Sequence, residues 1–209
     1  PAQISFAAPL TFNGVVKAGT LVYNDLFTIY PFENQLFVVR MTGEEIKRYL
    51  ESSYDAWTNT ITSSSDNLLK IVNAPDPRTG QKRWSFAGPA YNFDSAAGLV
   101  YEVDVTKPYG ERLNIISLVD GSPFEMDQTY NVAMTSYRAS GGGGHMKTAG
   151  IDTDNIAERV VEYYPEIRNI LYDYLVEHKS IDPAVVGDEN VLGKWKFVPE
   201  EMAEKALDR

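Results

Sequence analysis

The apolar positions of this chain repeat with two periods, and the switches between them mark its elements. Residues 35–40, Gln-Leu-Phe-Val-Val-Arg, form an extended apolar run that predicts a strand. Thr42, Gly43, Glu44 and Glu45 follow with the spacing of a capping box, in which Thr42 caps the helix start and Glu45 reaches back to it. Ile46, Leu50, Tyr54 and Trp57 then recur at i, i+4, i+8 and i+11, so they share one face of a helix predicted over 43–58. Ser, Thr, Asn, Asp and Pro dominate residues 58–83, which predicts a long loop without regular structure. Strand-like runs come next at 84–86, 91–93, 99–105, 113–118 and 130–135, separated by turn signals such as Asp120-Gly121. Pro165 suits the first turn of a further helix, and Ile167, Ile170, Leu171, Tyr174 and Leu175 keep the helical period until about Lys179. Residues 180–209 read as a C-terminal extension: a Pro-containing loop, a Trp195-Lys196-Phe197 run and a charged tail able to form a short surface helix. No fixed repeat and no linker divides the chain, which predicts a single α+β domain.

Charge and composition narrow the chemistry. Asp and Glu exceed Lys and Arg by 29 to 19, and a net charge of −10 opposes binding of a nucleic-acid polymer or an anionic membrane. No apolar run reaches the ~20 residues of a membrane-spanning helix. The absence of cysteine excludes disulfides, thiolate metal ligands and a cysteine nucleophile. Two histidines, His145 and His178, are too few for a multi-histidine metal centre. His178 falls in the last turn of the predicted helix, where a partly charged imidazole suits the helix dipole. No nucleophile elbow, phosphate-binding lysine loop or dinucleotide glycine pattern is present, and no carboxylate pair stands out as acid and base. The chain begins at Pro1 and its first methionine is Met41, which implies a processed leader or a larger upstream region.

What the sequence does offer is a binding face. Tyr137, at the end of a strand-like run, leads through Arg138-Ala139-Ser140 into Gly141, Gly142, Gly143 and Gly144, and then His145. Glycines permit positive φ and let a ligand approach the main chain, so the segment suits a flat ligand stacked on Tyr137 whose edges meet backbone groups. A flexible hairpin loop, with His145 solvated, reads the same residues equally well. Tyr30-Pro31-Phe32-Glu33-Asn34 sets two further aromatics just before a strand; Phe32 alone would be assigned to the core. Two aromatic faces can sandwich a planar ring, which contributes about 1–3 kcal/mol per stacked base in single-strand binders.

The segments Ala18 to Phe27, Tyr30 to Asn34, Met41 to Ile46 and Tyr130 to Gly144, in that order and spacing, resemble the C-terminal domain of the 5'-nucleotidase family. Tyr91-Asn92-Phe93-Asp94, Tyr101 to Val105 and Tyr137-Arg138-Ala139 are most similar to its 2',3'-cyclic-nucleotide phosphodiesterase branch. The resemblance runs from about residue 3 to residue 178. It implies a mixed β-sheet flanked by helices, and a nucleotide- or nucleoside-binding specificity domain of a bacterial periplasmic or extracellular hydrolase. By motif position it implies Phe32 and Tyr137 as the stacking pair, with Asn34, Arg138, Gly141, Gly142, Gly143 and Gly144 completing the substrate-binding set. It implies no catalytic residue, metal ligand or cofactor in this chain. Hydrolysis would fall to divalent metals in an N-terminal metallophosphoesterase domain, fused or separately encoded, which the chain does not contain.

Two departures from the family pattern bear on specificity. Ser5-Phe6-Ala7-Ala8-Pro9-Leu10 stands where many members carry Asn-Gly-Gly-Gly-Ile-Arg, although the cyclic phosphodiesterase branch often has a similar Ala-Ala-Pro segment. Gly141 to Gly144 replaces Gly-Gly-Asp-Gly, so a ligand-contacting Asp is missing at Gly143. Arg40 and Arg138 could supply lost polar contacts or serve as surface ion pairs. Three functions therefore stay open: a specificity domain of a nucleotide hydrolase, a stand-alone nucleotide-binding module serving a separate phosphoesterase, and a degenerate domain kept for assembly.

Overall fold

The computed structural model describes residues 1–10, 14–76, 78–181 and 193–207. From the N-terminus these form β1 (Ile4–Ala7), α1 (Asp25–Ile29), β2 (Gln35–Thr42) and α2 (Gly43–Trp57). A β3 (Ile71–Pro75) and β4 (Lys82–Phe86) ribbon follows, then β5 (Ser95–Ala97), β6 (Leu99–Asp104), β7 (Leu113–Leu118) and β8 (Thr129–Thr135). Two single-turn helices, α3 (Ser136–Ala139) and α4 (His145–Thr148), precede β9 (Val160–Glu166), α5 (Ile167–His178), β10 (Lys194–Val198) and α6 (Glu200–Leu207).

Five strands make a mixed sheet in the order β5-β1-β8-β2-β9, in which β1 and β8 run parallel and the other neighbours antiparallel. A second sheet, β10-β6-β7, pairs β10 parallel to β6. The chain passes between the sheets at Gly98, whose φ of +90° suits glycine and whose missing Cβ would lie 2.2 Å from the Gln3 carbonyl oxygen. Helix α2 starts as its sequence dictates: the Glu45 amide donates to Thr42 Oγ1 and the Thr42 amide to the Glu45 carboxylate. Its apolar stripe of Ile46, Tyr49, Leu50 and Tyr54 is buried in one core cluster with Ile4, Val39 and Met134 of the first sheet and Leu99, Tyr101 and Val103 of the second. Trp57, expected on the same face, is half-buried and packs edge-on to Phe93.

The fold is the α+β arrangement expected, and several local expectations need correction. Residues 58–83 are not a structureless loop, because β3 and most of the antiparallel ribbon it forms with β4 lie within them. That ribbon is nearly all solvent-exposed, so it buries no apolar stripe that periodicity could reveal. Residues 91–93 are not a strand but part of a 3₁₀ turn closed by Asn92 N–H to Pro89 O and Phe93 N–H to Ala90 O. Pro165 belongs to β9, not to the helix behind it. An edge strand tolerates a residue without an N–H donor, and β9 is the edge beside β2. The C-terminal run is integrated into the body: Trp195 stacks on Tyr101 at 6.0 Å, and α6 buries Ala203 and Ala206 against Ile61, Leu68 and Val105. The Pro-containing loop expected after residue 180 lies outside the described residues except at its ends.

Candidate functional site

Strand directions concentrate four separated segments at one end of the five-stranded sheet. Parallel β1 and β8 finish there and antiparallel β2 begins there, so the residues after β1, before β2 and after β8 come together. They surround a cleft of about 220 Å³. Phe6, Ala7, Ala8 and Leu10 line it from the end of β1, Tyr30, Phe32 and Asn34 from the approach to β2, and Thr135, Tyr137 and Arg138 from β8 and α3. The 3₁₀ turn contributes Tyr91 and Asp94.

Phe32 is not a core residue: it is 39% exposed, and Tyr137 is 42% exposed, and both line this cleft. Buried Tyr30 lies edge-on to Phe32 at 6.4 Å and accepts a hydrogen bond from Asn34 Nδ2 at 3.1 Å. Burial raises the Tyr30 pKa, keeping its hydroxyl protonated and able to act as donor or acceptor.

The glycine run is an ordered turn, and each glycine there has its own reason. Tyr137 sits in the single turn α3, capped by Thr135, rather than at a strand end. The Gly142 amide donates back to the Tyr137 carbonyl at 2.8 Å. A Cβ on Gly142 would fall 2.4 Å from both Cε2 and Cζ of Tyr137 and 2.6 Å from Cδ2, distances so similar that it would lie over the ring's face. Gly142 is therefore the seat of the Tyr137 ring. Gly143, at φ +77°, leaves the space in which Arg138 Nη1 meets Asn92 Oδ1; a Cβ there would approach them to 2.3 and 2.7 Å. No side chain, Asp included, fits at Gly143 while that hydrogen bond stands. Gly141, at φ +92°, abuts Thr153, and Gly144, at φ +81°, opens onto free space as the N-cap of α4.

Arg138 is buried, not a surface ion pair. Its Nε and Nη2 donate to the two carboxylate oxygens of buried Asp94 at 2.8 and 2.7 Å, a bidentate geometry. Its remaining donors reach Asn92 Oδ1, the Gly142 carbonyl and the Tyr91 carbonyl. Burial alone would lower the guanidinium pKa, but the hydrogen bonds and charge of Asp94 overcome it and hold the value raised. Tyr49 also donates to Asp94, and burial, then that carboxylate, pushes its phenol pKa well up. These two charged residues, Arg138 and Asp94, are the only ones lining the cleft among the described residues, and each neutralises the other.

His145 is buried rather than solvated. Its Nε2 donates to the Asn92 carbonyl at 2.8 Å, which leaves Nδ1 to accept from Ser52 at 3.1 Å, and burial lowers its pKa toward the neutral form. Arg40 lies away from the cleft and donates to the Glu158 carbonyl. His178 bonds Tyr174 O within the last turn of α5. Tyr30, Tyr91, Asp94 and the Ala7-Ala8 wall were not assigned to the site from sequence, although the Tyr91-Asn92-Phe93-Asp94 motif carried the signal for two of them. Among the described residues no three His, Cys, Asp or Glu side chains gather as a metal site, and no helix is long and apolar enough to cross a membrane.

Comparison with known proteins agrees with this architecture. The chain is 29% identical over 214 residues to the trifunctional nucleotide phosphoesterase protein of Bacillus subtilis, an alignment covering 92% of this chain and 13% of that protein. It is 29% identical over 195 residues to the 2',3'-cyclic-nucleotide 2'-phosphodiesterase/3'-nucleotidase of Haemophilus influenzae, covering 88% and 26%. The chain thus spans about a quarter or less of the length of these relatives. The solved 5'-nucleotidase precursor of Thermus thermophilus shares the fold, with a TM-score of 0.61 at 19% identity, over 95% of this chain and 32% of that one. The family model for the 5'-nucleotidase C-terminal domain matches residues 1–150, and the chain belongs to that family.

Proposed function

We propose that this chain is the nucleotide- or nucleoside-binding domain of a nucleotide hydrolase, holding a base between Phe32 and Tyr137. The observation that carries this reading is the cleft itself: two half-exposed aromatic rings from segments about a hundred residues apart border one mostly apolar slot whose two charged residues cancel. Asn34, which lines the cleft beside the rings, is a polar partner for a base edge. Hydrolysis belongs to divalent metals on an N-terminal metallophosphoesterase domain, fused or separate, and the setting is periplasmic or extracellular. A stand-alone binding module predicts the same cleft. A degenerate domain kept for assembly predicts weak or absent nucleoside binding instead.

Titrating adenosine and adenosine monophosphate into the wild type, Phe32→Ala and Tyr137→Ala tests the reading. Stacking without phosphate-holding metals gives dissociation constants on the order of 0.1–10 mM for both ligands. Each alanine variant loses roughly fivefold or more, the lower end of the ~1–3 kcal/mol per stacked base. Unchanged binding in both variants, or loss of binding with the phosphate, overturns the clamp.

A further inference from the structure

Tyr91 meets both clamp rings. Its centroid is 5.9 Å from Phe32 at an interplanar angle of 70°, and 6.5 Å from Tyr137 at 78°. A ring nearly perpendicular to both neighbours stands across the space they border instead of stacking in it. We propose that Tyr91 is a specificity-determining residue: the end wall of the slot, limiting how long a planar base it accepts. This rests on the base-clamp reading above.

The backbone that carries Tyr91 is built as a fixed support. The Tyr91 carbonyl accepts from Arg138, the Asn92 side chain accepts from Arg138 at 2.9 Å, and the Asn92 carbonyl accepts from His145 at 2.8 Å. Phe93 is buried against Trp57, and the Asp94 carboxylate is held by Arg138 and Tyr49. Four consecutive residues are thus tied to buried groups, while the Tyr91 side chain between the clamp rings stays 40% exposed. Fixed backbone with an accessible ring is the arrangement of a wall that touches ligand, since positioning by rigid surrounding contacts is what gives a site its discrimination. Much of the binding energy at such a wall is the same for every base; the wall acts on the difference between a two-ring and a one-ring base.

The test is the ratio of adenosine to uridine affinity, measured by titration on the 209-residue chain for wild type, Tyr91→Ala, Tyr91→Phe, Phe32→Ala and Tyr137→Ala. Tyr91→Ala removes the wall and is expected to shift the ratio at least about threefold toward adenosine, while Tyr91→Phe, which keeps the ring, retains the wild-type ratio. A residue that merely braced the two clamp rings would weaken both nucleosides equally, so an unchanged ratio in Tyr91→Ala, or a shift toward uridine, overturns the proposal. If that happens while Phe32→Ala and Tyr137→Ala still lose binding, the clamp stands and only the wall fails. No binding of either nucleoside to the wild type removes both.

Discussion

Gly142 shows how a single absent methyl group can shape a cleft wall. The Tyr137 ring fills the space a Gly142 Cβ would take, so any side chain there must push the ring toward the cleft or lift the turn. Gly142→Ala is expected to lower adenosine affinity about tenfold, close to the worth of one stacked base, while far-UV circular dichroism stays wild-type. Binding retained within about twofold would mean that the ring's seat is not what shapes the slot. Gly143 makes a related point about reading residues from sequence. Its identity looks like the loss of a polar contact, but the structure fills that volume with the Arg138–Asn92 hydrogen bond, a relation between positions 46 apart that no local pattern expresses.

At the scale of elements, legibility followed how each element gains its stability. β2 and α2 were readable because a capping box and a buried stripe write their period into the chain. β6, β7 and β8 were readable by alternation. Of the β3–β4 ribbon only residues 84–86 were readable as a strand, since cross-strand pairing rather than burial holds it together. β9 was not, since Pro165 carries the signal of a helix start and only its place at the sheet edge makes it acceptable in a strand. The C-terminal strand β10 was seen only as an aromatic run, yet it pairs along β6 and sets Trp195 against Tyr54 at 5.2 Å and Tyr101 at 6.0 Å. Trp195→Ala is expected to destabilise the chain by roughly 2 kcal/mol or more in urea titration, below the ~3–5 kcal/mol of a fully buried tryptophan because this one is only half-buried. Its effect on nucleoside affinity in the folded fraction should be negligible. A stability change under about 0.5 kcal/mol, the range of an ordinary surface substitution, would show that β10 is a decoration.

For the whole molecule, the aromatic partners of the cleft were legible from motif resemblance, and its shape was not, because three strand ends and a 3₁₀ turn had to be brought to one side before any volume existed. The same view sets what the chain lacks. Its histidines are spent on backbone carbonyls, and its two charged cleft residues on each other. The purified chain is therefore expected to hydrolyse neither adenosine monophosphate nor a 2',3'-cyclic nucleotide when divalent metals are added, since hydrolysis of this kind needs a bound metal to activate water. Turnover abolished by a chelator, and surviving contaminant controls, would contradict this.

The parallel pairing of β1 with β8 carries a temporal consequence. Ile4 aligns with Val132 and Ser5 with Ala133, so the first strand cannot take its place until residues far along the chain exist. Loop closure over such separations is slow relative to local helix formation. A ribosome adding about 5–20 residues per second leaves β1 waiting roughly 6–26 s for β8, although its other neighbour β5 and its stacking partner Tyr49 are made earlier. In the growing chain, the cleft would therefore be completed only on the arrival of β8 and α3.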